Sequence, residues 1–185
     1  NKLFYMVKNH ALYNSLNIKL LKNKLFKKII IKSENFYKKI IKDNKYDLII
    51  NCEQSNPLSR KYFNKKIDKD YKNLAYTTIL EHKKLENISA IQIFTESGPI
   101  AFLPISNTKT SVVCSIDVKN NKYNNNEILN LIKQHNPKFQ IKKILKLSIF
   151  KLKSSNLRNY YHKNILAFGD LLHKIHPLAG QGFNM

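Results

Sequence analysis

The stretch that decides the reading is Phe168–Asn184, FGDLLHKIHPLAGQGFN. The chain has only four glycines, and three of them, Gly169, Gly180 and Gly182, stand here. Glycine permits positive φ values and close backbone approach. An apolar strand (Asn164–Phe168) leads into Gly169-Asp170, then a short polar stretch, His176-Pro177 and Gly180-Gln181-Gly182. That series is expected to be able to set a carboxylate and a row of backbone N–H groups beside one flat, polar ligand. Asp170, His173 and His176 also have the spacing of a D-x-x-H-x-x-H metal trio. Pro177 and the glycines oppose the long helix such a trio needs, and no metal is expected.

Working outward, the preceding segments alternate. Ala90–Thr95 places Ile91 and Ile93 on one face and Gln92 and Phe94 on the other. Gly98-Pro99 reads as a turn, with strands at Leu74–Leu80, Ile100–Leu103 and Ser111–Ile116. Together they make an antiparallel meander and not βαβ units. Ile141–Leu152 reads as a further strand pair, Glu127–His135 as a short helix and Asn120–Asn126 as a low-complexity loop. Nearer the start, His10–Leu25 has the apolar spacing of an amphipathic helix. Lys27–Lys32 is a β-branched run expected to form a strand, and Phe36–Lys42 fits strand or helix. Asp43-Asn44 suggests a turn, and Asp47–Asn51 (DLIIN) reads as a short buried strand ahead of a polar turn at Glu53–Pro57.

Composition bounds the function. The 185 residues carry 33 Lys+Arg against 12 Asp+Glu, a formal charge of +21. An apolar share of 43% excludes a disordered polybasic tail. The longest apolar runs, such as Ile29–Ile31, fall far below the roughly 18 residues of a membrane span. The charge invites a nucleic-acid reading, but only Arg60 and Arg158 are arginine, the residue on which bidentate phosphate and base contacts lean. Lys, Asn, Ile and Tyr are all heavily used, as in a chain from AT-rich codons. A solvated lysine surface is therefore the expectation, with anionic lipid headgroups as an alternative use of the charge. Cys52 and Cys114 make neither a disulfide scaffold nor a zinc knuckle and read as buried small residues. His82 reads as a structural hydrogen-bonding residue.

Four segments, in order, resemble the group A flavoprotein monooxygenases, the para-hydroxybenzoate hydroxylase-like fold. Phe168–Asn184 is similar to their second flavin-binding motif. Tyr5–Leu16 (YMVKNHALYNSL) resembles their V-E-N…L…A-L segment, and Asp47–Arg60 (DLIINCEQSNPLSR) resembles D-L-L-V-G-A-D-G…S…R. His82, Asn87, Ala90, Gln92, Phe94, Gly98, Pro99, Ala101, Leu103 and Pro104 resemble the H…N…A-x-Q-x-F…G-P-x-A-x-L-P block of the ubiquinone-biosynthesis hydroxylases, which act on 2-octaprenyl-phenol and methoxyphenol.

The resemblance implies an α+β fold: an incomplete FAD-binding, Rossmann-like α/β domain with an inserted, mostly antiparallel substrate sheet. Residues 1–6 would form the edge of the substrate domain and 7–60 part of the FAD-binding domain. Residues 61–160 would be the substrate sheet and 161–185 a C-terminal FAD motif. FAD would be the cofactor. By resemblance Asp170 would bond its ribityl chain, and Pro177 would lie beside the isoalloxazine and reaction site. Gly180, Gln181 and Gly182 would turn N–H groups toward the flavin pyrimidine edge, where a helix N-terminus favours negative charge. Gly169, His173, His176 and Asn184 belong to the same motif. Arg60 would handle flavin and NAD(P)H, and Glu53 would be a flavin-site acid; each also reads as a solvated surface charge. Gly98 and Pro99 would open the wall, Gly98–Pro104, over the flavin where the phenolic ring lies.

Such enzymes reduce FAD with NAD(P)H and pass oxygen from O₂ to an electron-rich ring. The implied substrate is a polyprenylated phenol. The implied location is cytoplasmic, peripheral at the inner face of a bacterial membrane, with a membrane surface or a ubiquinone-biosynthesis complex as the implied partner. No nucleic acid is expected as a partner. The sequence departs from the family in lacking G-x-G-x-x-G and its βαβ unit, about a hundred residues. It has Cys52-Glu53-Gln54 for A-D-G, Leu171-Leu172 for Ala-Ala, and a shortened stretch between Ile31 and Asp47. The expectation is a fragment inactive alone, or a non-catalytic remnant that binds a partner.

Overall fold

The computed structural model describes residues 7–43, 45–117 and 123–174. Among the described residues four α-helices lie in chain order: α1 (Asn9–Leu21), α2 (Asn35–Lys42), α3 (Pro57–Tyr62) and α4 (Asn125–Gln134). The strands are β1 (Ile49–Asn51), β2 (Lys66–His82), β3 (Ile91–Thr95), β4 (Gly98–Ser106), β5 (Lys109–Asp117), β6 (Ile141–Ile144), β7 (Ser148–Leu157), β8 (Tyr161–His162), β9 (Ile165–Ala167) and β10 (His173–Lys174).

Two sheets result. The larger runs β10-β7-β2-β5-β4-β3, with β6 also paired to β2. All its pairings are antiparallel. The smaller runs β1-β9-β8, and its β1–β9 pair is parallel. The fold is thus the expected α+β arrangement with an antiparallel sheet.

The larger sheet buries one face by strict alternation. Directly opposed residues share a face. Tyr76 faces Cys114 and Cys114 faces Ile100, while Thr78 faces Val112 and Val112 faces Phe102. All six are buried. Ile128 and Ile132, one turn apart on α4, close over this face with Phe139. A reciprocal capping box starts α4: Glu127 N–H donates to the Asn124 side chain, and Asn124 N–H donates to the Glu127 carboxylate. On the opposite face Ala101 lies across from Val113 and Leu103 across from Ser111, all half-buried.

His82 holds the connection after β2. Its Nδ1 lies 2.8 Å from the Lys83 carbonyl, so Nδ1 carries the proton, and Nε2 lies 2.9 Å from Thr110 Oγ1. Asn87 Nδ2 donates to the same hydroxyl and to the Ser106 and Lys109 carbonyls. The side chains of His82, Asn87 and Thr110 are buried. This is the structural role expected of His82.

Several local expectations change. Lys27–Lys32 is not a strand: among the described residues no strand pairs with it. Helix α1 forms, but none of its residues is buried, so its leucines do not make an inward face. Phe36–Lys42 resolves as helix, because Tyr37 and Ile41 on one side pack on the cluster around Leu58 and Phe63. β1 begins at Ile49, and Ile50 is 56% exposed. The β3–β4 turn is Glu96-Ser97 and not Gly98-Pro99, which already belong to β4. β6 and β7 pair with β2 and not with each other. Cys52 is exposed, whereas Cys114 is buried.

Candidate functional site at the carboxyl ends of two parallel strands

The parallel register Ile49–Ile165, Ile50–Leu166, Asn51–Ala167 makes β1 and β9 end side by side. Phe168 N–H donates to the Asn51 carbonyl at 2.9 Å and extends the ladder by one residue. The two strands are far apart in sequence, yet the loops that follow them, Cys52–Asn56 and Gly169–Leu171, leave from the same edge. The carboxyl ends of parallel strands are where open α/β sheets receive ligands.

Polar side chains buried below the edge fix the first loop. Asn51, 4% exposed, donates through Nδ2 to Ser59 Oγ at 2.8 Å and accepts at Oδ1 from Asn56 Nδ2 at 2.6 Å. Ser59 Oγ donates to the Glu53 carbonyl. Asn56 caps α3 by accepting from Ser59 N–H at 2.9 Å, with Pro57 at the first helical turn, where its missing N–H costs nothing. The cluster is closed on itself, as a buried polar network must be. Asn51→Ala removes its centre and leaves Asn56 and Ser59 short of partners. The expected loss is about 2 kcal/mol of unfolding free energy, read from urea denaturation.

Gln54 joins the two loops: its Nε2 donates to the Asp170 carbonyl. The Asp170 carboxylate is exposed and has no hydrogen-bond or ion-pair partner among the described residues. Gly169 has φ +59°, and a Cβ built there meets nothing within 4 Å, so the backbone presents an open surface. Glu53 is exposed and accepts from Ser55 Oγ. The structure therefore gathers Glu53, Gln54, Gly169 and Asp170.

It gives other expected residues different places. Arg60 pairs with Glu34 and donates to the Ser55 carbonyl, clamping the first loop from outside. His173, on β10, lies with Nδ1 2.8 Å from Asn156 Oδ1 and meets Tyr160 edge-on. Gly98 and Pro99 lie on β4, four strands from β10 in the larger sheet, a lateral separation of roughly 19 Å. Gly98 has its own structural reason: at φ +128° its built Cβ would stand 2.0 Å from the Ser115 carbonyl oxygen. Pro177, Gly180, Gln181, Gly182, Asn184 and His176 lie outside the described residues. No cluster of three or more His, Cys, Asp or Glu suited to a metal occurs among the described residues.

Sequence reasoning passed over Asn51, Asn56 and Ser59. The available signal was the Asn-Pro pair following a strand that ends on a polar residue.

No protein-family model and no curated protein sequence matches the chain. Solved structures do. The chain is similar to the myxobacterial chondrochloren halogenase CndH, an FAD-dependent halogenase, at a TM-score of 0.58 and 15% identity over 75% of this chain and 36% of that one. It is similar to the flavin-dependent brominase Bmp2 at 0.55 and 14%, over 75% and 39%. It is similar to the flavin-dependent halogenase CmlS at 0.51 and 16%, over 74% and 28%. At these identities the likeness establishes a fold: this α+β arrangement matches part of a flavin-monooxygenase-like fold. The chain spans about a third of the length of the proteins it matches. Among the described residues, no helix is long and apolar enough to cross a membrane.

Proposed function

We propose that this chain forms part of an FAD-dependent monooxygenase, with the flavin seated over the carboxyl ends of β1 and β9. The observation that carries the reading is the parallel β1–β9 pair, which brings the Cys52–Asn56 loop against the Gly169-Asp170 turn. The residues fit such a group. Asp170 offers an unspent, exposed carboxylate to ribityl hydroxyls, and Gly169 leaves room for close approach. Gln54 and the buried Asn51 cluster hold both loops in place, and Arg60 acts as a positioning residue for the first. Pro177, Gly180, Gln181, Gly182 and Asn184 complete the motif by resemblance. When bound, FAD would supply reduction by NAD(P)H and activation of O₂.

The substrate reading is a polyprenylated phenol of ubiquinone biosynthesis. It rests on the His82–Pro104 resemblance, and the half-buried face carrying Pro99, Ala101, Leu103 and Val113 is suited to exclude water from an apolar ring. Peripheral association with a membrane surface goes with that substrate. The test uses the full-length protein in which this chain occurs. A 2-polyprenylphenol should stimulate NAD(P)H oxidation with formation of a hydroxylated product. NAD(P)H oxidation without product for any phenol, or no oxidation, would remove the hydroxylase reading.

A further inference from the structure

At the opposite end of α3 from the Cys52–Asn56 loop lies a cleft of about 240 Å³ between that helix and the β7–β8 connection. Lys61, Tyr62, Asn64, Lys65, Asn159 and His162 line it. Buried Phe63, 1% exposed, anchors its wall in the neighbouring core. Tyr62 and His162 stack with ring centroids 4.1 Å apart and planes at 15°, which fixes the orientation of both rings. Lys61 Nζ sits 5.1 Å from the Tyr62 ring centroid, held near the cleft by the ring face.

Two features define the chemistry. Among the described residues no Asp or Glu lines the cleft. Moreover, the side-chain donors of Lys61, Asn64, Lys65 and Asn159, and both ring nitrogens of His162, have no hydrogen-bond or ion-pair partner among the described residues. Two ammonium groups, two amides and an imidazole line this one cleft with donors unspent, a composition suited to a compact, multiply charged oxyanion.

We infer that this cleft binds the phosphoryl group of a small phosphorylated ligand through Lys61, Lys65, Asn64, Asn159 and His162. The inference is independent of the flavin reading. The chain is titrated with pyrophosphate and with AMP by calorimetry, and separately with phosphatidylcholine vesicles containing phosphatidic acid. Saturable 1:1 binding is expected, weakened at least tenfold by Lys61→Gln with Lys65→Gln and unchanged by Lys22→Gln with Lys24→Gln. Both lysine pairs are exposed, so circular dichroism should show all chains equally folded. Selective loss with the soluble anions assigns a metabolite, and selective loss with vesicles alone assigns a lipid headgroup. No saturable binding in any arm, or equal weakening by both pairs, would overturn the site and leave only general attraction to a chain of charge +21.

Discussion

Replacing Gly98 with alanine is expected to lower the unfolding free energy by about 3 kcal/mol, among the largest single-residue effects in the chain. Two costs act together. The φ of +128° is a conformation that L side chains avoid, and the new Cβ would stand 2.0 Å from the Ser115 carbonyl oxygen. That oxygen belongs to the backbone of β5, held on both sides by β2 and β4, so it cannot swing aside as a flexible side chain would. Gly169→Ala is the control. It shares a positive φ, +59°, but meets open space, so its expected cost is about 1 kcal/mol. Urea denaturation followed by circular dichroism gives both values. A Gly98→Ala loss no larger than that of Gly169→Ala would contradict the close approach of β4 to β5.

The two cysteines are expected to differ in reactivity by on the order of a thousandfold or more. Cys114 is fully buried between Tyr76 and Ile100 on neighbouring strands, and burial pushes its thiol up to about 12. Cys52 is exposed in the loop after β1. At pH 8 a chromogenic disulfide should modify one thiol per native chain quickly. The second should react only when urea unfolds the protein. Two fast thiols in the native chain would mean that the face beneath α4 is open.

The larger sheet was legible because its signal is local. Alternation in Ala90–Thr95 puts Ile91 and Ile93 on one face, and the structure half-buries both against the core while exposing Gln92 and Phe94. The length of β2 was not legible. Burial alternates through its second half, but Lys66–Asp70 is mostly polar and is held in the sheet by pairing with β7, not by apolar burial. Gly98-Pro99 misled for a physical reason: glycine was read as the turn, whereas it serves the approach of two strands one position later. Lys27–Lys32 had strand composition without a partner, and composition alone makes no ladder.

The candidate site divides in the same way. Gly169-Asp170 stood out because glycine is scarce in this chain. The supporting cluster of Asn51, Asn56 and Ser59 did not, because its members are brought together by a strand end and a helix cap and not by a repeating pattern. Arg60, matched by resemblance to a cofactor-handling residue, in three dimensions braces the loop on which the candidate site stands. Cys52, expected inside, is outside because the chain leaves the small sheet at Asn51 and turns along its edge.

Flavin binding by the full-length protein tests most directly that the loops after β1 and β9 together hold FAD. Purified protein should retain or take up FAD. Asp170→Ala should weaken that binding at least tenfold, while Asp68→Ala, an exposed carboxylate on β2, should leave it unchanged. Absence of flavin binding, or equal affinity in Asp170→Ala and the parent protein, would contradict it.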